Sequence, residues 1–344
     1  MPAPAPTLGY ADLTPQLVLD ALDSVGLFGD GRLLQLNSYE NRVFQVMLED
    51  GRAVVAKFYR PGRWSEAQIL EEHAFALELA DAEVPVVPPL LLQRRAAAAG
   101  HRLELVPAPA PTLALLDTGS DLLRFTVAAR CAGREPELDD PDTLRQLGRF
   151  IGRLHAVGAR RPFAHRHRLD ASSDGRRARA LLLDGDFLPP EQLAGWEAAS
   201  AAALAAVEAA FSGVGPRPAL RLHGDCHIGN VLWRDGRPHV VDLDDACTGP
   251  AVQDLWMLVS GDASSMTRQL DLLLEGYRLF KDFDDAERIL IEPLRTLRML
   301  RYSAWIAERW TDPAFPAAFP FFGTPAYWSQ QAGQMREQIE AMAG

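Results

Sequence analysis

The first sixty residues contain three short apolar runs of strand length, rich in valine, leucine and phenylalanine. They cover residues 33–36, 43–48 and 53–59. Asp50-Gly51, between the second and third runs, is typical of a tight turn. The pattern predicts three strands that pair in order as a small antiparallel sheet.

Longer stretches, with apolar residues at helical spacing, predict helices over residues 64–80 and 144–157. Residues 292–310 alternate Arg295, Arg298 and Arg301 with apolar residues, as the wall of a substrate groove or a packing segment would. A further helix is predicted to begin at Asp254, in the string DLWMLVSG. The sheet signal is thus confined to the early part of the chain, and the later part reads as mostly helical. We therefore predict an α+β fold with two lobes, a small antiparallel sheet with one helix and a larger, mainly helical lobe.

The string LHGDCHIGNVLWRDGRPHVVDLDDA, at residues 222–246, combines a polar loop with a predicted hairpin. Asp225 and Asn230 lie in the loop, and apolar residues on both sides of an Asp-Gly turn predict two strands, with Asp242 after the second. The turn would bring Asn230 and Asp242 side by side. Carboxylate and amide oxygens that converge in this way suit Mg²⁺, a hard cation.

This spacing is that of a kinase catalytic centre, where one aspartate accepts the proton of the attacking hydroxyl and a later asparagine and aspartate bind Mg²⁺. Here the loop reads His223-Gly224-Asp225, and Asp242-Leu243-Asp244 stands where protein kinases have D-F-G. There is no room for a long activation loop. The pattern resembles the aminoglycoside phosphotransferase and choline kinase-like branch of the protein kinase superfold. A hairpin with merely solvated polar ends is the competing interpretation.

Lys57 lies near the end of the third predicted strand, where kinases have the lysine that contacts the α- and β-phosphates of ATP. Only two of the 35 basic residues are lysines, so a lysine in an apolar strand is unlikely to serve for charge alone. The next helix offers Glu72 as its carboxylate partner, with Glu71 left open. The loop NSYENR, between the first two strands, has no glycine, and Ser38 is hypothesised to hold the phosphates there with backbone N–H groups.

Several strings, LNSYENRVFQV, VAKFYRPGRWS, LRLHGDCHIGN, GPAVQDLWMLVSGD and ERWTDPAFP among them, resemble the bacterial stress response kinase A family, also called the RdoA or YihE family. The resemblance implies a cytoplasmic serine/threonine protein kinase with a phosphotransferase-like fold, linked to the stress response. It also implies that Asp225 is the proton acceptor. Asn230 and Asp242 would then be the Mg²⁺ ligands, and Ser38 and Lys57 would be ATP contacts.

The chain departs from this family in segment 90–124, which is rich in alanine, arginine and proline. The segment is longer than we expect before the hinge of such a kinase. Material of this composition is more typical of a surface elaboration than of a new site. We therefore predict that it decorates the small lobe.

The hinge is then expected at residues 125–133, with the backbone of Val127 to Ala129 offering groups to the adenine. This placement divides the chain into two predicted domains. Residues 1–128 form an N-terminal ATP-binding lobe, and residues 129–344 form a C-terminal catalytic and substrate lobe.

Composition and charge limit the classes of partner and the cellular compartment that we expect. A chain of 344 residues with 48% hydrophobic content can bury two lobes, and its formal net charge of −11 argues against nucleic acid as the main partner. Three cysteines, Cys131, Cys226 and Cys247, indicate no paired disulfide framework. Without an evident signal peptide or apolar run of membrane length, we expect no membrane partner, a cytoplasmic location and a monomer.

Two other functions remain open. The fold branch equally allows a small-molecule kinase of the aminoglycoside, choline or homoserine kinase type, which an acidic acceptor pocket would favour. The glycine-free loop allows a non-catalytic pseudokinase that binds a partner. Asp254 and His223 are expected to support the catalytic loop structurally, His155 is expected to be a core or interlobe histidine, and the aromatic residues near the C-terminus are assigned no site.

Overall fold

The computed structural model describes Tyr10 and residues 13–95, 101–216 and 218–343, apart from the side chains of residues 171 and 172. It has two lobes, one built on a six-stranded antiparallel sheet and the other mainly helical. The predicted α+β class and two-lobed arrangement are confirmed. The predicted domain boundary between residues 128 and 129 stays a prediction. It falls near the end of the sixth strand along the chain.

The small lobe begins with a helix on one face of its sheet. Helix α1 is Pro15–Ser24, and the first three strands are β1 (Gly29–Leu36), β2 (Arg42–Leu48) and β3 (Ala53–Phe58). All three predicted strands are confirmed, and they pair in sequence order. The strands bury their apolar side chains against α1, and each fully buried leucine or phenylalanine contributes about 1.5–3 kcal/mol.

The prediction that segment 90–124 is a surface elaboration is wrong. After α2 (Glu66–Asp81), the segment supplies β4 (Arg102–Val106), β5 (Leu113–Asp117) and the start of β6 (Leu122–Ala129), and the sheet order is β1-β2-β3-β6-β5-β4. Leu103, Leu113 and Leu116 are buried. The alanine- and proline-rich composition concealed two short strands whose leucines complete the sheet.

Helix α2 joins the two lobes. It begins one residue after Ser65, whose side chain accepts the N–H of Gln68 while the Gln68 side chain accepts the N–H of Ser65, a capping box. Near its start, Ile69 packs in an apolar cluster of the small lobe. Further along, Phe75 lies in the core of the large lobe. A rigid helix thereby fixes the position of one lobe against the other.

The large lobe contains eight of the helices found in the described residues. They are α3 (Pro141–Gly158), α4 (Ala171–Asp184), α5 (Pro190–Val214), α6 (Gln253–Trp256), α7 (Ala263–Tyr277), α8 (Ile291–Glu308), α9 (Ala314–Ala318) and α10 (Pro325–Ala343). The helix predicted over residues 144–157 is confirmed. The helix predicted to run from Asp254 through DLWMLVSG spans only α6, and the backbone turns at Gly261, where φ is +100°.

Close packing of α3 on α7 depends on glycine. A Cβ atom at Gly148 would lie 1.9 Å from the carbonyl oxygen of Leu273, and one at Gly152 would lie 2.5 Å from that of Tyr277. Only hydrogen atoms fit at these two positions. The contact places Tyr277 of α7 against His155 of α3, which leads directly to the catalytic loop.

The predicted hairpin is confirmed. Four short strands lie in the large lobe, namely β7 (Leu220–Leu222), β8 (Val231–Arg234), β9 (Arg237–Val240) and β10 (Cys247–Gly249). Strands β8 and β9 pair antiparallel across Asp235-Gly236, where both residues have positive φ angles of 51° and 73°. Asp-Gly is a preferred pair for such a two-residue turn.

Helix α5 qualifies the expectation that no segment suits a membrane. Over 25 residues it is long and apolar enough to cross a bilayer by length and composition, and the search of the described residues finds one such helix. In the structure, Trp196, Ala203 and Val207 of this helix are buried in a cluster shared with α4, α8 and α10. One face of α5 thus belongs to the core of the large lobe.

Candidate active site

The catalytic loop is the segment between β7 and β8, residues 223–230, and a buried carboxylate binds its backbone. Asp254 accepts the N–H of His223 at 2.7 Å and the N–H of Gly224 at 2.8 Å. Its third partner is Nε2 of His155, at 3.0 Å, whose Nδ1 lies 3.0 Å from the hydroxyl of Tyr277. These contacts place Asp254 and His223 in the supporting positions that the sequence predicted, and they place His155, a buried core histidine as expected, on the same carboxylate. Burial raises the pKa of Asp254, but the bonds from His155 and the loop outweigh it and the pKa is lowered.

Asp225 projects from this loop with both carboxylate oxygens engaged. Oδ1 accepts Nη1 of Arg298 at 2.5 Å, and Oδ2 lies 3.4 Å from Nε2 of His227. Because Nδ1 of His227 accepts the N–H of Gly229, its Nε2 is the donor toward Asp225. Burial raises the pKa of Asp225, yet His227 and Arg298 outweigh it and hold the pKa well below its usual range.

Sequence reasoning did not assign Arg298 or His227 to the site. The spacing of arginines along α8 was visible in the sequence, but it did not show which arginine reaches the catalytic loop. His227 lies within the motif itself and was left unassigned. Only the fold, which brings α8 beside the loop, reveals the pair.

The hairpin brings the backbone of Asn230 next to Val241, the residue before Asp242. Nδ2 of Asn230 donates to the carbonyl oxygen of Asp225 at 2.9 Å, and the N–H of Val241 donates to the carbonyl oxygen of Asn230 at 3.1 Å. Asp242 follows in the left-handed region with φ of 61°, which aspartate tolerates better than most residues. Its side chain is 53% exposed and lies 3.6 Å from Lys57. An open carboxylate of this kind suits a metal such as Mg²⁺, which keeps waters and substrate phosphates as its other ligands, and the binding of Mg²⁺ by Asn230 and Asp242 stays a prediction.

Lys57 lies in β3 between β2 and β6, opposite Val43 and Thr126. Its ammonium is 3.2 Å from Oδ1 of Asp244 and 3.6 Å from Oδ1 of Asp242. Burial lowers the pKa of Lys57, but the carboxylates around it raise that pKa by more than burial lowers it. The side chain therefore stays charged. The structure thus brings Lys57 to Asp242, as a nucleotide site requires.

The expected ion pair between Lys57 and Glu72 is not formed in the described residues, where Asp242 and Asp244 are the carboxylates within 4.0 Å of Lys57. Glu72 is buried beside this group, and burial raises its pKa to about 7 although Lys57 opposes the change. Glu71 points elsewhere and accepts the backbone N–H groups of residues 164–166. Of the two candidates, Glu72 alone lies near the lysine, and its role in nucleotide binding stays a prediction.

Asp244 is the residue that the sequence analysis most clearly missed. Its carboxylate, 4% exposed, accepts Nη1 of Arg63 at 2.6 Å and Nδ2 of Asn41 at 2.9 Å, besides Lys57. Burial raises its pKa, but Lys57 and Arg63 outweigh it and hold the pKa far below its usual value. The third position of D-L-D therefore links the hairpin to β3 and to the loop before β2.

That loop, NSYENR, is rigid without glycine because Arg60 binds it. Nε and Nη2 of Arg60 donate to the carbonyl oxygens of Glu40 and Tyr39, each at 2.9 Å. The carboxylate of Glu40 also accepts Nε1 of Trp305 at 2.7 Å. Within the loop, the Ser38 hydroxyl accepts the N–H of Asn41 at 3.2 Å. Ser38 thus contacts Asn41, whose side chain binds Asp244. The contact of Ser38 with ATP stays a prediction.

The expected hinge begins inside a strand, since β6 continues to Ala129. The carbonyl oxygen of Val127 already accepts the N–H of Leu90 at 2.7 Å, and Val127 is fully buried. The contact of Val127 with adenine therefore stays a prediction, and it would have to be made at a buried residue whose carbonyl oxygen already has one donor. Ala129, at the exposed end of β6, has no such restriction in the described contacts, and its role stays a prediction.

Comparisons with known proteins agree with this geometry. The profile of the phosphotransferase enzyme family matches residues 32–289. "Stress response kinase A" of Escherichia coli (strain K12) is 41% identical over 97% of this chain and 94% of its own length. "Serine/threonine protein kinase RdoA" of Salmonella typhimurium (strain LT2) is 42% identical over the same shares.

Solved structures show the same fold at low identity. Amicoumacin kinase hAmiN, in complex with AMP-PNP, Ca²⁺ and Ami, is 19% identical with a TM-score of 0.67 over 95% of this chain and 93% of that chain. A microcompartment-associated aminopropanol kinase is 17% identical with a TM-score of 0.69 over 96% and 97%. The chain therefore belongs to the phosphotransferase enzyme family and, within it, to the stress response kinase A group that its sequence resembles.

Proposed function

We propose that the protein is an ATP- and Mg²⁺-dependent serine/threonine protein kinase. It transfers the γ-phosphoryl group of ATP to a hydroxyl group on a protein. The observation that supports this most directly is the meeting of Lys57 and Asp242 at 3.6 Å beside the loop that presents Asp225. The relative named a serine/threonine protein kinase, at 42% identity over 97% of the chain, supports the choice of acceptor.

In this reaction, the acceptor oxygen attacks the γ-phosphorus, the bond to the β,γ-bridging oxygen breaks, and ADP leaves. Asp225 orients the hydroxyl and takes its proton. Lys57 would hold the α- and β-phosphate oxygens, and Asn230 and Asp242 would hold Mg²⁺, whose charge would offset that of the phosphates. Positioning and electrostatic stabilisation provide most of the acceleration in such transfers.

The surface beside Asp225 favours a protein over a cationic small molecule. A cavity of about 400 Å³ opens there, and its lining includes His227, Arg295 and Arg298. No aspartate or glutamate is among the described residues that line it. Recognition of an amino alcohol or aminoglycoside calls for acidic groups at the acceptor position. A cationic small molecule, such as an amino alcohol or an aminoglycoside, therefore has less support as the acceptor.

The pseudokinase alternative also has less support, because side chains of the protein hold in place the residues that are proposed to bind the phosphates of ATP. Lys57 is charged, and the glycine-free loop is held by side chains of both lobes. We further propose a monomer in the cytoplasm, with a protein substrate. Nucleic acid and membrane partners are not part of the proposal, in keeping with the net charge of −11.

The test is incubation with radiolabelled ATP and Mg²⁺, alone and with myelin basic protein or casein. Wild type is compared with Asp242→Asn and with Asp50→Asn, a matched change at an exposed turn paired with Arg52. We expect label on protein for wild type and Asp50→Asn, and none for Asp242→Asn. Bound ATP without any labelled protein, under conditions where a small hydroxyl compound is phosphorylated, would contradict the proposed acceptor.

A further inference from the structure

In this structure, Arg298 forms an ion pair with Asp225, the proposed catalytic aspartate. Its Nη1 lies 2.5 Å from Oδ1 of Asp225, the group proposed to take the acceptor proton. With His227 on the other oxygen, both carboxylate oxygens have donors before any acceptor arrives. A carboxylate that is paired with a guanidinium is a weak base and has little room for a hydroxyl. Turnover therefore needs the pair to open.

Arg298 is less enclosed than the arginine one turn before it. Its side chain is 47% exposed, in the wall of the cavity beside Asp225. Arg295, by contrast, is held by both oxygens of Glu292 at 2.9 Å and lies over the ring of Trp256. Among the described contacts, the partner of the exposed Arg298 is thus the proposed catalytic aspartate.

The same face of α8 offers a second cation. Arg301 is one turn beyond Arg298, so the two side chains leave the helix on the same side. Arg301 is exposed, and no carboxylate lies within 4.0 Å of it in the part of the chain that the structure describes. An arginine with no acidic partner, beside one that pairs with the catalytic group, creates a local positive surface on a protein whose net charge is −11.

We propose that the acceptor segment carries an acidic side chain close to its serine or threonine, and that this side chain takes Arg298 away from Asp225. The inference rests on the proposed protein kinase function and names its substrate class. Arg298 is a positioning residue here. While the acidic group holds the guanidinium, Oδ1 of Asp225 is open to the hydroxyl of the same segment. A segment without an acidic group leaves the ion pair closed.

The mechanism couples recognition to access. In the closed pair, Nη1 of Arg298 occupies Oδ1 of Asp225. When an acidic acceptor draws the guanidinium away, Oδ1 loses this donor and can accept the hydroxyl of the acceptor segment. Charge-assisted hydrogen bonds to arginine are strong enough to produce selectivity of about tenfold or more between acidic and neutral acceptors.

The experiment uses the full chain and three serine peptides of equal length, with alanine, aspartate or lysine around the serine. We expect kcat/KM for the aspartate peptide to exceed that for the alanine peptide by about tenfold in wild type. Arg298→Gln should remove this preference, and Arg298→Lys should restore part of it. Arg145→Gln is the matched control, since Arg145 pairs with Asp142 and Glu275 on the α3–α7 surface.

A second readout separates positioning from a purely structural effect. Loss of the guanidinium leaves Oδ1 of Asp225 open, so kcat/KM for the alanine peptide should rise in Arg298→Gln, whereas a purely structural defect would lower it. Equal kcat/KM for the three peptides in wild type, or an undiminished preference in Arg298→Gln, would overturn the inference and leave the kinase function standing. Absence of transfer to any protein or peptide would overturn both.

Discussion

The replacement of Asp244 by asparagine tests the central charge arrangement of the site. Asparagine keeps the shape and one acceptor oxygen but removes the negative charge between Lys57, at 3.2 Å, and Arg63, at 2.6 Å. Breaking a buried ion pair by removing one partner costs about 3–5 kcal/mol. Each cation keeps a second carboxylate, since Lys57 lies 3.6 Å from Asp242 and Arg63 lies 2.7 Å from Asp245. We therefore expect the lower end, a loss of about 3 kcal/mol in the free energy of unfolding.

The measurement is urea denaturation followed by tryptophan fluorescence, with Asp50→Asn as the control for an exposed pair that should leave stability unchanged. The pH dependence of the free energy of unfolding provides a second test. Because the pKa of Asp244 is lowered in the folded protein, its stabilisation is complete above the ordinary value of 3.8 and is lost as pH falls below it. The difference between wild type and Asp244→Asn should shrink in that acidic range. A difference below about 1 kcal/mol at pH 7 would refute the reasoning that a buried anion joins the two cations.

Two further predictions concern the catalytic and buried carboxyl groups. Asp225→Asn should lower kcat by about 10²–10⁴-fold while calorimetry finds ATP affinity within about twofold of wild type, and a normal kcat would exclude Asp225 as the proton acceptor. Burial raises the pKa of Glu72 from 4.5 to about 7, so its folded form holds a proton that the unfolded chain has lost. Relative to Glu72→Gln, the free energy of unfolding of wild type should therefore fall between pH 4.5 and 7 and stay level above, and parallel curves across that range would contradict the raised pKa.

Features that depend on neighbours in sequence were predictable. Strands β1 to β3, helix α2 and the β8–β9 hairpin follow from local apolar spacing, a serine cap and an Asp-Gly turn. The convergence of Asn230 and Asp242 also follows from the hairpin, because a two-residue turn places the residues at its two open ends opposite one another. A stretch such as 90–124 was misread because composition alone does not distinguish a short, leucine-containing edge strand from a loop.

The contacts that complete the site join residues far apart in the chain, and no local pattern specifies them. Lys57 pairs with Asp244, 187 positions later, and Arg298 reaches Asp225 across 73 positions. Burial decides these partners: the pairing of Lys57 with Asp244 rather than Glu72 depends on which carboxylate the packing of the two lobes brings nearest. The sequence was sufficient to name the candidate catalytic residues and their local order. The tertiary structure decided which charges neutralise one another, because electrostatic energy inside a protein depends on distance and desolvation, and both arise only on folding.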